Sequence, residues 1–81
     1  MERPLDTHRL HAELGSRLTW LRGLAGHLVR DPATADDLVQ DTVVAALRRP
    51  PELESPLEPW LASVLRKLHL QRQRGNRRRV R

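Results

Sequence analysis

Three sets of side chains in this 81-residue chain have types and spacings suited to chemistry. The first is histidine. His8 and His11 fall one helical turn apart, but the chain has no Cys to supply a thiolate. No carboxylate converges on the pair, and a structural metal site takes four ligands. His27 and His69 read as surface or boundary residues of helices. The second set is Asp36, Asp37 and Asp41, hard oxygen donors close together in sequence. Acids near a helix start are what the positive helix end favours, so they need no cation to explain them. The chain contains no HExxH, no Gly-rich phosphate loop and no Ser/His/Asp set arranged on loops. We expect no enzyme, no cofactor and no metal.

The third set is spread over two helical faces. Asp37, Gln40, Asp41 and Val44 recur at steps of three and four, opposite much of an apolar stripe. They form a polar face with a small apolar patch at Val44-Ala45. A solvated surface is the plain reading, and docking on a basic partner helix is the functional one. Further on, Arg66, Lys67, Arg72 and Arg74 accompany an apolar face, with Arg77 and Arg78 close behind. Lys67 and Arg74 lie seven apart and so project to nearly one side, as a rail along a phosphate backbone would. Phosphate contacts position a protein and carry no base sequence. With two tryptophans and no Phe or Tyr, the stacking platform of a generic single-strand binder is almost missing.

Charge separates along the chain in the same sense. Residues 1–58 hold all ten acids and seven Lys/Arg, a net −3, whereas residues 59–81 hold eight Lys/Arg and no acid. Such asymmetry suits two partners, with the basic end directed to phosphates. A solvated basic tail is the bland alternative.

These residues must be positioned by helices. Leu, Arg and Ala dominate, Ile, Phe and Tyr are absent, and a strand-rich fold would want β-branched and aromatic residues. Leu10, Leu14, Leu18, Leu21, Ala25 and Leu28 form one stripe, which predicts a helix over about residues 8–30. Gly15, Gly23 and Gly26 within it suggest close approach of another helix. Asp31-Pro32 ends that helix. Thr34 with Asp37 resembles a capping box, opening a second helix over 35–49 whose buried side is Leu38, Val39, Thr42, Val43, Ala46 and Leu47. Pro50-Pro51 stops it. A third helix over 57–74 carries Trp60, Leu61, Val64, Leu65 and Leu68 on one face. Its start is either a Ser55–Glu58 capping box with Pro56 in the first turn, or Pro59. Gly75-Asn76 is a natural stop, leaving Arg77 to Arg81 frayed. The expectation is an all-α, compact three-helix bundle. It has an N-terminal extension at 1–7, a helical domain at 8–74 and a basic tail at 75–81. No apolar run is long enough to span a membrane and the N-terminus has no signal-peptide core, so a cytoplasmic protein is expected.

Two strings, Asp31-Pro-Ala-Thr-Ala-Asp-Asp-Leu-Val-Gln-Asp-Thr and Trp60-Leu-Ala-Ser-Val-Leu-Arg-Lys-Leu, closely resemble region 2 of bacterial RNA polymerase sigma factors of the extracytoplasmic-function group. The likeness runs from about Leu10 to Arg79. It implies a factor of transcription initiation that docks on the RNA polymerase core and helps recognise and melt the promoter −10 element. By that resemblance Asp37, Gln40, Asp41 and the adjoining Val44 would meet the clamp coiled coil of the β′ subunit. The loop of Pro51, Glu52, Leu53, Glu54 and Ser55 would help hold a flipped base of the non-template single strand. Arg66, Lys67, Arg72, Arg74, Arg77 and Arg78 would grip the same DNA, and an anti-sigma protein would be a further partner.

The chain departs from the family pattern at three points. Lys67 stands where the family has Asn, and Gln71 where it has Asp. The loop offers Glu52 and Glu54 rather than an aromatic. The helix-turn-helix region that reads the −35 element is not present, which favours an excised domain ending where an interdomain linker begins. The runner-up reading is a sigma-like interaction protein that binds polymerase or an anti-sigma partner without reading DNA. A basic amphipathic helix on anionic membranes is weaker still, because Trp60 and its leucines are wanted for the core.

Overall fold

A computed structural model describes residues 7–52 and 56–79, with side chains through Gly75. Four helices follow in order: α1 (Thr7–Ser16), α2 (Leu18–Leu28), α3 (Pro32–Arg48) and α4 (Leu57–Arg79). The all-α expectation holds, with one more helix than the periodicity predicted. α3 is central, packing against both α2 and α4, while α1 touches α2 and α3.

The extra helix arises because the expected 8–30 segment breaks at Arg17. An unbroken helix would bond the Arg17 amide to the carbonyl of Glu13. That carbonyl instead accepts from the Ser16 hydroxyl at 2.8 Å and the Arg17 guanidinium at 3.1 Å. The Arg17 amide turns to Leu14 O at 3.1 Å, a tighter turn, before the ladder resumes with Leu21 N to Arg17 O at 2.9 Å. Side-chain donors intruding after a Gly-Ser pair are a recognised cause of helix kinks. Arg17 fastens the kink to the rest of the molecule. Its guanidinium pairs with Glu13, and its Nε lies 3.8 Å from Glu58 of α4.

Most of the core comes from the predicted stripes, with Ala35 and Leu57 added at the starts of α3 and α4. Leu10, Leu14, Leu21, Ala25, Ala35, Leu38, Val39, Ala46, Leu57, Leu61 and Leu65 are buried in one cluster. Thr42 is fully buried among them, and its hydroxyl donates to Leu38 O at 2.8 Å, so its polar group has a partner. Leu28, placed in the first stripe, is 37% exposed instead. α2 ends at that residue, and the chain is already turning towards α3. The glycine expectation is also overturned. A Cβ built at Gly15, Gly23 or Gly26 meets nothing within 4 Å, so no helix crosses closely there.

Helix boundaries shift for local reasons. α3 begins at Pro32 rather than Ala35, because Asp31 is the cap and its carboxylate accepts from the Thr34 amide at 3.0 Å. Pro32 then occupies the first helical position, where its missing N–H is not needed. Asp31-Pro32 thus opens a helix as well as following one. Pro59 sits in the first turn of α4, before any intrahelical bond is required. The first such bond runs from Trp60 N to Pro56 O at 3.3 Å. Ser55 and the rest of 53–55 lie outside the described residues, so the Ser55 half of the capping box does too. At the other end, α4 passes through Gly75-Asn76 and continues to Arg79. Glycine weakens a helix by only ~1 kcal/mol, and no described residue adopts the left-handed conformation that ends one.

Candidate protein-docking and nucleic-acid interfaces

α3 is amphipathic. Burying Leu38, Val39, Thr42 and Ala46 forces Asp37, Gln40, Asp41 and Val44 to the outside, and all four are exposed. At the start of this helix the Thr34 hydroxyl, and then its backbone amide, hold the Asp31 carboxyl below the usual carboxylate range. Asp36 turns towards α2, with Oδ1 4.0 Å from Arg22 Nε, and lines a groove there together with Gln40 and Val44. The acids grouped together in sequence therefore separate into the Asp31 cap, the Asp36 contact to α2, and Asp37 with Asp41 on the side towards α4. Among the described residues no cluster of three or more acids, His or Cys is arranged to hold a metal.

α4 presents its cations differently from turn to turn. Arg66, Lys67 and Arg74 are exposed. Arg66 and Lys67 are neighbours in sequence and so point about 100° apart on the helix, whereas Lys67, Gln71 and Arg74 follow one another at steps of four and three. Arg72 is half-buried and committed. Its guanidinium is hydrogen-bonded to the Asp41 carboxylate, and its Nη1 donates to Thr34 O at 3.5 Å. One expected DNA residue and one expected polymerase residue thus hold each other. Arg77 and Arg78 lie on the last turn of α4.

Between α3, the following loop and α4 lies a concavity of about 650 Å³. Ala45, Val64 and Leu68 give it apolar lining, Pro50, Pro51 and Trp60 contribute further walls, and Arg49, Glu52, Lys67 and Gln71 supply polar groups. Pro51 is buried and Glu52 exposed, while Leu53, Glu54 and Ser55 lie outside the described residues. Sequence reasoning places the loop and Lys67 here for different reasons and misses Arg49, Trp60 and Gln71. In sequence Arg49 reads as a partner of the helix dipole, and Trp60 as core. The Arg72–Asp41 pair joins residues 31 apart, and no local pattern announces it.

The arrangement is that of a helical binding domain with an acidic outward face and a final helix rich in cations. Membership follows directly: the Sigma-70 region 2 family matches residues 15–79, most of the chain, and the chain belongs to that family. This is a non-enzymatic transcription-initiation domain, of a family that binds RNA polymerase and recognises the promoter −10 element. No curated protein and no solved structure matches the chain. Among the described residues, no helix is long and apolar enough to cross a membrane.

Proposed function

We propose that this chain is region 2 of an extracytoplasmic-function sigma factor, acting in the cytoplasm on core polymerase. Asp37, Gln40 and Asp41, with Val44 at their edge, dock on the β′ clamp coiled coil. The concavity beside Pro51 and Glu52 receives one base of the non-template −10 strand. Its apolar lining would replace some of the stacking the base gives up, and flipping costs a few kcal/mol. Lys67 at the rim, with Arg66 and Arg74 and then Arg77 and Arg78, neutralises the adjoining phosphates. An anti-sigma protein would cover these same faces.

The observation that carries this reading is a concavity between the C-terminal end of α3, the loop of Pro50, Pro51 and Glu52, and α4, with the exposed Lys67 among its walls and the acidic residues of α3 outside it. A partner on one face leaves the other open. Asp41→Arg combined with Gln40→Ala reverses charge and removes an amide on exposed positions, so the fold should survive. Capture of the chain by a β′ clamp fragment should fall at least about tenfold, the scale of removing one charged interaction. Unchanged capture with an unchanged circular dichroism spectrum would show that α3 does not carry docking.

Lys67 and Gln71 favour a second reading, the sigma-like protein that binds polymerase without reading DNA, because both depart from the family pattern and both line the concavity proposed for the base. A panel of −10 single strands separates the two: the first reading expects sequence preference, the second expects none.

A further inference from the structure

Within the far half of α4 one cation differs from its neighbours. Arg66, Lys67 and Arg74 are exposed, whereas the Arg72 side chain is 33% exposed and reaches across to α3. Its Nη2 donates to Asp41 Oδ2 and its Nη1 to the carbonyl of Thr34. Asp41, with a side chain 52% exposed, lines a groove of about 520 Å³ together with Asp37, Gln71, Arg72 and Gly75. The pair therefore joins the face proposed to meet polymerase with the helix proposed to meet DNA.

We propose that Arg72–Asp41 is a latch that masks one charge on each face of the free domain, so that filling either face releases the other. The inference rests on the two-faced reading of the proposed function. While closed, the latch removes one carboxylate from the α3 face and one guanidinium from the phosphate rail. A cationic side chain of a protein partner that takes Asp41 leaves Arg72 free to turn to a phosphate. A phosphate that takes Arg72 leaves Asp41 free for the partner. The coupling is reciprocal because both events open the same bond. It is also modest. A solvent-exposed ion pair of this kind is worth about a two- to fivefold factor in an equilibrium, weak enough for either partner to displace.

Asp37 supplies the control, since it lines the same groove and has no ion pair with Arg72. Asp41→Asn and Asp37→Asn change the net charge equally, so long-range attraction of DNA rises alike in both. Binding of a fluorescent −10 single strand to the full chain, read by anisotropy at low salt, then isolates the latch. Asp41→Asn should bind about two- to fivefold more tightly than Asp37→Asn. That difference should vanish when both are placed in an Arg72→Gln background. Adding the β′ clamp fragment should raise the affinity of the parent chain by a similar factor and leave Arg72→Gln unmoved.

Equal binding by the two Asn variants overturns the latch, as does a difference that persists without Arg72. Weaker binding by Asp41→Asn also overturns it and makes the pair a staple that positions Arg72. Failure of every variant, parent included, to bind the strand removes the DNA reading and the latch together. A clean cycle with no response to the clamp fragment overturns the latch as a coupling device, because filling the α3 face then leaves Arg72 paired.

Discussion

The two halves of α4 follow opposite rules within one continuous helix. From Leu57 to Leu65 apolar residues return every four positions, and Leu57, Leu61, Ala62 and Leu65 are buried. From Arg66 to Gly75 no residue is buried, and only Leu68, His69 and Arg72 are partly covered. The residues between 66 and 79 include seven Lys/Arg and no acid. At 1.5 Å per residue the whole helix is about 34 Å long, a large part of the molecule's 48 Å extent. The near half is anchored by hydrophobic burial. The far half is held out from it as a charged arm, with the Arg72 contacts to α3 as its polar tether among the described side chains. On the proposed reading the core contacts of α4 and its phosphate-binding cations fall on different turns, so each can be perturbed with little effect on the other.

The largest effect should come from the near half. Leu61 is fully buried in the cluster that joins all four helices. Leu61→Ala removes its transfer energy and leaves a cavity, for a loss of about 2–5 kcal/mol. In a domain this small that is a large share of the total stability. Thermal unfolding followed by circular dichroism should show a clear drop in midpoint. A midpoint within a degree of the parent would mean the near half is not the anchor.

A smaller effect, of a different kind, is expected from the rail. Lys67→Ala with Arg74→Ala removes two exposed cations that carry no ion pair among the described residues and no place in the core. The unfolding midpoint should hardly move, since exposed substitutions of this sort change stability by no more than about 0.5 kcal/mol. Affinity for a −10 single strand should fall, and the slope of log K against log salt should flatten by about 0.7 for each phosphate that is no longer neutralised. A flattened slope with unchanged stability sharpens the division of α4. An unchanged slope takes Lys67 and Arg74 off the DNA path and leaves the far half without the role proposed for it.

How legible this division is in sequence depends on distance along the chain. Core positions such as Leu10, Leu21, Leu38 and Leu65 recur at helical steps, a pattern that burial imposes on local sequence, and all are buried. The outward placement of Asp37, Gln40, Asp41 and Val44 follows from the same geometry read on the opposite side. Helix ends are harder, because each is settled by a competition between single hydrogen bonds. Ser16 and Arg17 break a helix that its leucines would have continued. Asp31 caps a helix three residues before the expected start. The concavity beside α4 is only half legible. Pro51 and Lys67 stand out in sequence, but Trp60, Arg49 and Gln71 come together through packing of α3 on α4. The Arg72–Asp41 pair is illegible for the same reason, since tertiary contacts between charged residues leave no periodic trace.

Gly75 offers the smallest change and a direct test of how far the two halves are uncoupled. It sits within the arm, and a Cβ there meets nothing within 4 Å. Alanine should therefore favour the helix by up to about 1 kcal/mol without any new contact. If the arm frays independently of the core, that gain stays local. Amide exchange around residue 75 should slow several-fold and helical ellipticity should rise slightly. The midpoint of global unfolding should stay nearly fixed, because local opening and global unfolding draw on different free energies. If the arm instead unfolds together with the core, the same substitution should raise the midpoint by about 4–8 °C, as a full 1 kcal/mol does in a domain of this size. The two outcomes assign the arm to the cooperative unit or outside it, and an arm outside it is free to settle on DNA after the core has already folded.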